Sequence, residues 1–95
     1  MHAVIRAYDA SPDVAAQARS LLPDLERTMR ETPGFVAYYF IETANGVCTI
    51  TVTDDEAGTT ESMQRAADWV RKNMPDAGLG APTVTKGQVL LDATR

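Results

Sequence analysis

Alternation of hydrophobic and polar residues marks four strands, and apolar residues at helical spacing mark two helices between them. Strands are predicted at residues 3–8, in both arms of a hairpin within residues 34–52, and at residues 83–92, because a period of two is typical of a half-buried strand. The element order is therefore β-α-β-β-α-β. It predicts an α+β fold in which a four-stranded antiparallel sheet carries two helices on one face.

The first predicted helix has a clear start and an internal break. Ser11 is a favourable N-cap, and Pro12 suits the first helical position, where its missing N–H costs nothing. One apolar face follows at helical spacing, and it consists of Val14, Ala18, Leu21, Leu22, Leu25 and Met29. Pro23 cannot donate a hydrogen bond to the carbonyl four residues back, which predicts a kink or a broken turn near Leu22.

The second helix is predicted over residues 59–74, behind the acidic run at residues 54–56. Adjacent carboxylates in front of a helix more often stabilise its N-terminal dipole than bind a metal. The buried stripe of this helix is predicted to contain Met63, Ala66, Ala67, Val70 and Met74, with Trp69 at its flank. Pro75 ends the helix, and residues 75–82 form a connection rich in glycine, proline and alanine.

The hairpin contains Asn45-Gly46, which predicts a type I′ turn because both central residues of that turn need positive φ. With Ala44 opposite Val47, the side chains of the hairpin separate into two sets. One set is uniformly apolar and consists of Ala37, Tyr39, Ile41, Cys48, Ile50 and Val52. The other set is mixed and consists of Val36, Tyr38, Phe40, Glu42, Thr49, Thr51 and Thr53.

The uniformly apolar set is predicted to face the helices, together with Ala3, Ile5 and Ala7 of the first strand. The mixed set then lies on the open face of the sheet, beside His2, Val4, Arg6 and Tyr8. Burying the apolar strip of this face would contribute roughly 25 cal/mol of stabilising free energy for each Å² removed from water. We therefore predict a homodimer through the open sheet face. The strip consists of Val4, Val36, Tyr38 and Phe40, and Phe40→Asp is expected to split the dimer.

Length and composition narrow the class of protein. The chain has 95 residues with 44% hydrophobic content, which predicts a single domain over residues 1–95. Residues 1–10 contain Arg6 and Asp9 and no apolar run, which predicts no signal peptide. The longest apolar run, residues 35–41, is too short to cross a bilayer, so a cytoplasmic protein is expected. Cys48 is the only cysteine, which excludes an internal disulfide.

The net charge of −4 argues against a nucleic-acid partner, because neutralisation of phosphates dominates such affinity. RNA-binding modules share the same element order, and "GFVAYYF" superficially resembles their aromatic motif. However, Pro33 stands where that motif needs a basic residue, and the segment falls on the second strand instead of the third. An RNA-binding module is therefore a disfavoured alternative.

Three segments, "TPGFVAYYFIE", "TITVTDDEAG" and "AADWVRKNMP", together with the element order, resemble the dimeric α+β barrel superfamily. The resemblance is to its antibiotic-biosynthesis-monooxygenase-like group. It implies a ferredoxin-like monomer whose open sheet face packs against that of a partner. It also implies a ligand cavity between the sheet and the helices.

The resemblance implies two functions. The first is a protein that binds a small, largely apolar or aromatic molecule without catalysis. The alternative is a cofactor-independent monooxygenase that acts on an aromatic, polyketide-like substrate. Haem-degrading members ligate iron through a histidine on or just after the second helix, and residues 59–74 contain none. With one histidine and one cysteine in the chain, we expect neither a cofactor nor a metal.

Candidate ligand contacts follow from the same resemblance, because aromatic-oxidising members orient the substrate with tyrosine, tryptophan, asparagine and arginine. The matching residue types here are Arg6, Tyr8, Tyr38, Phe40, Trp69 and Asn73, and no catalytic residue is assigned. Residues 75–82 are predicted to border the site, where Gly78 and Gly80 let Leu79 move over an opening.

Several of these residues also have an ordinary structural interpretation. Trp69 fits a core filler, and an aromatic on the open face fits a partner sheet. Arg6 either anchors an anionic ligand or pairs with Glu42 across the sheet. His2 is expected to be a frayed terminal residue.

Overall fold

The structure, a computed structural model, describes residues Met1–Arg95 and confirms the predicted order of strands and helices. Its elements are β1 (His2–Asp9), α1 (Pro12–Arg19), α2 (Leu22–Arg30), β2 (Phe35–Thr43), β3 (Gly46–Thr53), α3 (Glu56–Asn73) and β4 (Thr83–Gln88). The four strands form one antiparallel sheet in the order β2-β3-β1-β4. β4 ends four residues earlier than the alternation predicted. No helix has the length and apolar character needed to span a membrane.

The helices begin and end where local chemistry directs them. The predicted break of the first helix is present, because α1 and α2 are separate helices and Pro23 lies in the first turn of α2. α3 starts earlier than predicted, at Glu56, behind an N-cap at Asp55. The Asp55 carboxylate accepts a hydrogen bond from the Gly58 N–H at 3.0 Å. The acidic run therefore caps the helix, as predicted.

The three helices cover the opposite face of the sheet from the one predicted. Val4, Thr51 and Thr53 are fully buried beneath them. The uniformly apolar set lies on the open face, where Ile5 is 39% exposed and Tyr39 is 54% exposed. Alternation divides the residues correctly into two sets except at Val36, but it does not say on which side of the sheet the helical connections lie.

Small side chains explain how α3 packs on a face that is rich in threonine. A Cβ placed on Gly58 would come within 2.7 Å of Thr53 Cβ, and Thr59 and Ser62, which follow in α3, are both buried. The helix therefore approaches β3 closely. A face of larger aliphatic residues would hold the helix further from the sheet.

The hairpin register also differs from the prediction. Thr43 pairs with Gly46 and Ile41 with Cys48, so Ala44 and Asn45 form the turn, and the register shifts by two residues. The shift by an even number leaves the two side-chain sets intact. Gly46 does not have positive φ; its lack of a side chain serves a close approach to the end of β1.

The predictions for Cys48, His2 and Val36 are also corrected. Cys48 lies on the open face and not beneath the helices, because it pairs with Ala7 and Ile41. His2 is not frayed: it begins β1, is 9% exposed, and its Nδ1 lies 2.7 Å from Thr59 Oγ1. Val36 is the extra residue of a bulge in β2, so its place beneath Tyr38 is taken by Phe35, which packs against the core.

The core lies between the helices and the covered face of the sheet. Its buried members come from all three helices and from the C-cap of α3: Val14, Ala18, Leu25, Met29, Ala66, Trp69 and Met74. Phe35, Tyr38 and Phe40 pack against this cluster from β2. Because Tyr38 and Phe40 face the helices, the predicted dimer contacts through them and through Val4 are wrong.

Candidate functional site

A cavity between the sheet and the helices collects five of the six predicted ligand contacts. The five are Arg6, Tyr8, Tyr38, Phe40 and Trp69. The rest of its lining is Val14, Leu25, Val47, Thr49, Ala66, Val70, Met74 and Leu79. Four of the predicted contacts lie together because they occupy alternate positions on the covered face: Arg6 and Tyr8 in β1, and Tyr38 and Phe40 in β2.

Asn73, the sixth predicted residue, does not line this cavity. Its Nδ2 donates a hydrogen bond of 3.0 Å to the Trp69 carbonyl, one turn back in α3. It borders a surface groove between α2 and α3 instead, together with Asp24. Asn73 therefore supports the end of the helix and not the cavity.

Trp69 is held in a fixed orientation between α2 and α3. Its indole Nε1–H donates a hydrogen bond of 2.9 Å to Asp24 Oδ2, and its side chain is 5% exposed. The hydrogen bond satisfies the one polar atom of the indole at the protein surface. The ring itself is left to form an apolar wall of the cavity.

The polar end of the cavity is built around Arg6. This residue is 3% exposed, and its Nε has no hydrogen-bond partner. The alternative that Arg6 pairs with Glu42 is wrong, because Glu42 Oε1 lies 2.9 Å from Arg19 Nη2 on the surface. The buried hydroxyl of Thr49 also lacks a partner of normal hydrogen-bond geometry.

Tyr38 places a neutral phenol beside this polar end. Burial raises the pKa of Tyr38 to about 12, although the Arg6 guanidinium lowers it, while the nearby Tyr8 raises it and the Thr49 hydroxyl lowers it. The desolvation cost of a buried phenolate outweighs the attraction of the cation. At neutral pH the Tyr38 hydroxyl is therefore a hydrogen-bond donor.

The raised pKa of Tyr38 predicts a loss of stability in alkali. Between the ordinary pKa of 10.0 and about 12, the unfolded chain releases the Tyr38 proton while the folded protein keeps it. The stabilisation is complete below the lower value and falls as pH rises through the upper one, by roughly 3 kcal/mol. Denaturant unfolding at a series of pH values measures it. The variant Tyr38→Phe should lose this fall, whereas the neighbouring exposed control Tyr39→Phe should keep the wild-type profile.

The cavity itself is small, but it adjoins a larger groove. Its volume of about 30 Å³ accommodates about one water molecule. A groove of about 400 Å³ lies between α2 and β2, and Leu25, Tyr38 and Phe40 line both spaces. Displacement of these shared side chains would join the groove to the cavity.

Leu79 lines the cavity but not the groove, as the predicted border at residues 75–82 requires. Within residues 75–82 only the Ala77 N–H hydrogen-bonds to another backbone group, the Met74 carbonyl, at 3.2 Å. Gly78 has φ of +69° in open space. Leu79 is thus held by its side-chain packing and not by a ladder of backbone hydrogen bonds.

Two lining residues, Thr49 and Leu25, were not predicted as ligand contacts. Thr49 was placed in the mixed set with Tyr38 and Phe40, but it was not named as a ligand contact, although it pairs with Arg6 and with Phe40 in the sheet. Leu25 was assigned only to a helix face. The cavity lies where that face meets β2, which depends on how α2 is placed by the break at Leu21.

Solved structures match nearly the whole chain, whereas no family model and no curated protein does. The haem-degrader MhuD of Mycobacterium tuberculosis, with two haems bound in its active site, has a TM-score of 0.73 and 10% identity, over 99% of this chain and 100% of that chain. The Streptomyces coelicolor monooxygenase from the gene ActVA-Orf6, in complex with Nanaomycin D, has a TM-score of 0.67 and 16% identity, over 99% of this chain and 90% of that chain. This chain has the antibiotic-biosynthesis-monooxygenase fold.

The same fold occurs without a known activity. A Nitrosomonas europaea protein of unknown function matches with a TM-score of 0.76 and 18% identity, over 99% of this chain and 93% of that chain. At such identities the antibiotic-biosynthesis-monooxygenase fold is shared, and the activity has to be argued from the residues of the site.

Haem, which MhuD binds, does not fit the residues of this cavity. The lining contains no histidine and no cysteine. His2 packs against Thr59 of α3, and Cys48 lies on the other face of the sheet. No group of three or more histidine, cysteine, aspartate or glutamate side chains is arranged to hold a metal ion. That the protein needs neither haem nor metal stays a prediction.

Proposed function

We propose that this protein binds a small, largely apolar or aromatic molecule between the sheet and the helices. The observation that carries the proposal is the adjoining groove and cavity, which share Leu25, Tyr38 and Phe40 as a common wall. Concave, mostly apolar spaces with a few convergent polar groups are the usual form of a small-molecule site. Trp69, fixed by Asp24, provides a flat surface for a ring to stack on.

Two proteins of the same fold support this proposal. MhuD holds haems in its active site, and the monooxygenase from the gene ActVA-Orf6 is in complex with Nanaomycin D. Both ligands are ring systems too large for a space of about 30 Å³. A ligand of that kind enters this protein only when the cavity widens, so Leu79 and the wall shared with the groove are the parts that move.

The binding proposal is tested by titrating the protein with naphthamide, a neutral aromatic probe, and recording the fluorescence of Trp69. The signal is unambiguous because the chain has one tryptophan. We expect saturable quenching, and we expect Leu79→Ala to speed association several-fold because it shortens the side chain that closes the cavity. Leu90→Ala is the matched control, since Leu90 is 95% exposed and lies outside the cavity. Absence of saturable binding would contradict the proposal.

The second candidate function is a cofactor-independent monooxygenase, favoured by the cation and two phenols at one end of an otherwise apolar cavity. In such chemistry the carbanion of the substrate itself reacts with oxygen. With anthrone as substrate, one molecule of oxygen would be consumed, one oxygen atom would form the new carbonyl of anthraquinone, and the other would leave as water. An oxygen electrode decides between the two functions. If oxygen uptake is no faster than with heat-unfolded protein, the monooxygenase function is wrong and only the ligand-binding function remains.

We also propose that two copies associate through the open face of the sheet. Ile5 and Ile41 are each 39% exposed there, and Tyr39 is 54% exposed. Burying apolar surface contributes roughly 25 cal/mol for each Å², and a self-complementary two-fold contact is the commonest way to bury it. The dimer predicted from the sequence is kept, but its contacts are moved to the uniformly apolar set.

A further inference from the structure

We propose that the ligand of this site is an organic anion, and that its negatively charged oxygen binds the guanidinium of Arg6. This inference rests on the proposed small-molecule function and specifies the chemical class of the ligand. It concerns the one buried cation that the fold leaves without a partner. The neutral part of the ligand would lie along Trp69 and Leu25.

The strongest observation is the isolation of Arg6. It is 3% exposed, its Nε is unpartnered, and it takes part in none of the six ion pairs of the chain. Removing a charge from water without a counter-charge is among the costliest arrangements in a protein. Methionine or leucine would fill the same position at lower cost, so the cation is unfavourable for the folded protein by itself. A ligand anion would supply the missing charge.

Neighbouring groups add donors of the kind an anionic oxygen needs. The Thr49 hydroxyl is buried beside the Tyr38 phenol, and Tyr8 lines the cavity beside Arg6. The Tyr38 phenol stays protonated, because burial raises its pKa to about 12. A hydrogen bond from a guanidinium to an anionic oxygen is stronger than a hydrogen bond between two neutral groups. The hydroxyl groups would add further donors to the same oxygen. No carboxylate lines the cavity to compete for these donors.

The apolar part of the lining narrows the class further. Outside this polar end, the walls are aliphatic side chains and the rings of Phe40 and Trp69. The arrangement fits a planar ring system with one anionic oxygen at its end. A carboxylate and an ionised ring hydroxyl both provide that oxygen, so the test compares them.

The test compares the affinities of naphthoate, of its neutral amide naphthamide, and of dinitronaphtholate, a ring hydroxyl that is ionised at neutral pH. Trp69 fluorescence reports naphthoate and naphthamide, and calorimetry reports all three. Wild-type protein should bind at least one anion more tightly than naphthamide. Arg6→Gln should weaken that anion by roughly tenfold to a hundredfold, the size of a hydrogen bond to a charged group, and should leave naphthamide unchanged. Arg19→Gln removes an exposed guanidinium of the same charge and should bind all three probes as wild type does.

A purely structural role for Arg6 is distinguished by the stability of the ligand-free protein. Arg6→Met should raise Tm, because it replaces an unpaired buried cation by an apolar side chain of similar length. Weaker anion binding with a raised Tm supports an anion site that is maintained at the expense of stability. Whether naphthoate or dinitronaphtholate shows the larger loss in the Arg6 variants identifies the source of the anionic oxygen.

Two results would overturn the inference, and they differ in what they say about the proposed function. If naphthamide binds as tightly as both anions and the Arg6 variants change none of the affinities, the proposal of an anionic ligand is wrong, while the proposal of a small-molecule site is still supported. If none of the three probes binds to wild-type protein, the inference and the proposed function both fail.

Discussion

Replacing Gly46 by alanine is expected to destabilise the protein by more than about 3 kcal/mol, a large part of the total stability of a small domain. A Cβ at this position would overlap the Tyr8 carbonyl oxygen and lie 2.7 Å from the Ala10 nitrogen. Both obstacles are backbone atoms, and the Ala10 N–H is tied to the Asn45 carbonyl by a hydrogen bond of 3.1 Å. The end of β1 therefore has to move away from β3. Chemical denaturation should show the loss of stability as a lower denaturant concentration at the unfolding midpoint.

Gly87→Ala is the matched control for this substitution. Gly87 is also a strand glycine with no positive φ, but nothing lies within 4 Å of the position that its Cβ would take. Alanine there reduces the freedom of the unfolded chain without a clash, so we expect a gain of roughly 0.5 kcal/mol. Equal midpoints for the two variants would show that the close approach at Gly46 is wrong.

Tyr39→Asp is expected to convert a dimer into monomers. Tyr39 has the largest exposed fraction among the large hydrophobic side chains within the strands, and it lies on the uniformly apolar face of β2. Because β2 is an edge strand, the monomer tolerates a charge at this position. In a two-fold contact the carboxylate would be buried once in each copy. At about 3 kcal/mol for each unpaired carboxylate, the dissociation constant should rise by roughly four orders of magnitude.

Light scattering at micromolar concentration measures this change. Ala44→Asp adds the same charge in the exposed hairpin turn and should leave the dimer intact. Phe40→Asp is not a suitable test, because Phe40 packs beneath the helices and its replacement would damage the core. A wild-type protein that is monomeric at this concentration would contradict the interface.

The sequence was sufficient for the order and type of the elements but not for the placement of the sheet. Period-two alternation separated Tyr38 and Phe40 from Tyr39 and Ile41 correctly, and Pro23 located the break between two helices. The error lay in assuming that the more apolar set must face the helices. A face that packs against a second copy can be as apolar as a core, so hydrophobicity does not distinguish the two.

The candidate site survived that error for a physical reason. Arg6, Tyr8, Tyr38 and Phe40 share one set of alternate positions, so they converge on one face whichever side of the sheet the helices occupy. Trp69 reaches them because its side chain belongs to the buried stripe of α3 and not to the flank. What the sequence could not provide was the absence of a partner for Arg6, since Glu42 is engaged by Arg19 only because α1 ends beside β2.

The strand order β2-β3-β1-β4 has a consequence for how the chain acquires its structure during synthesis. The first strand to be made is an interior strand, and its two neighbours are made much later. His2 pairs with Thr53 on one side and with Gln88 on the other, so β1 has no partner until the hairpin is complete and no second partner until β4 has emerged. Only the β2–β3 pairing is local in sequence, and contacts distant in sequence slow folding. β1 therefore stays unpaired until β3 has been made and keeps one open edge until β4 has been made, and chaperones can bind the nascent chain during that interval.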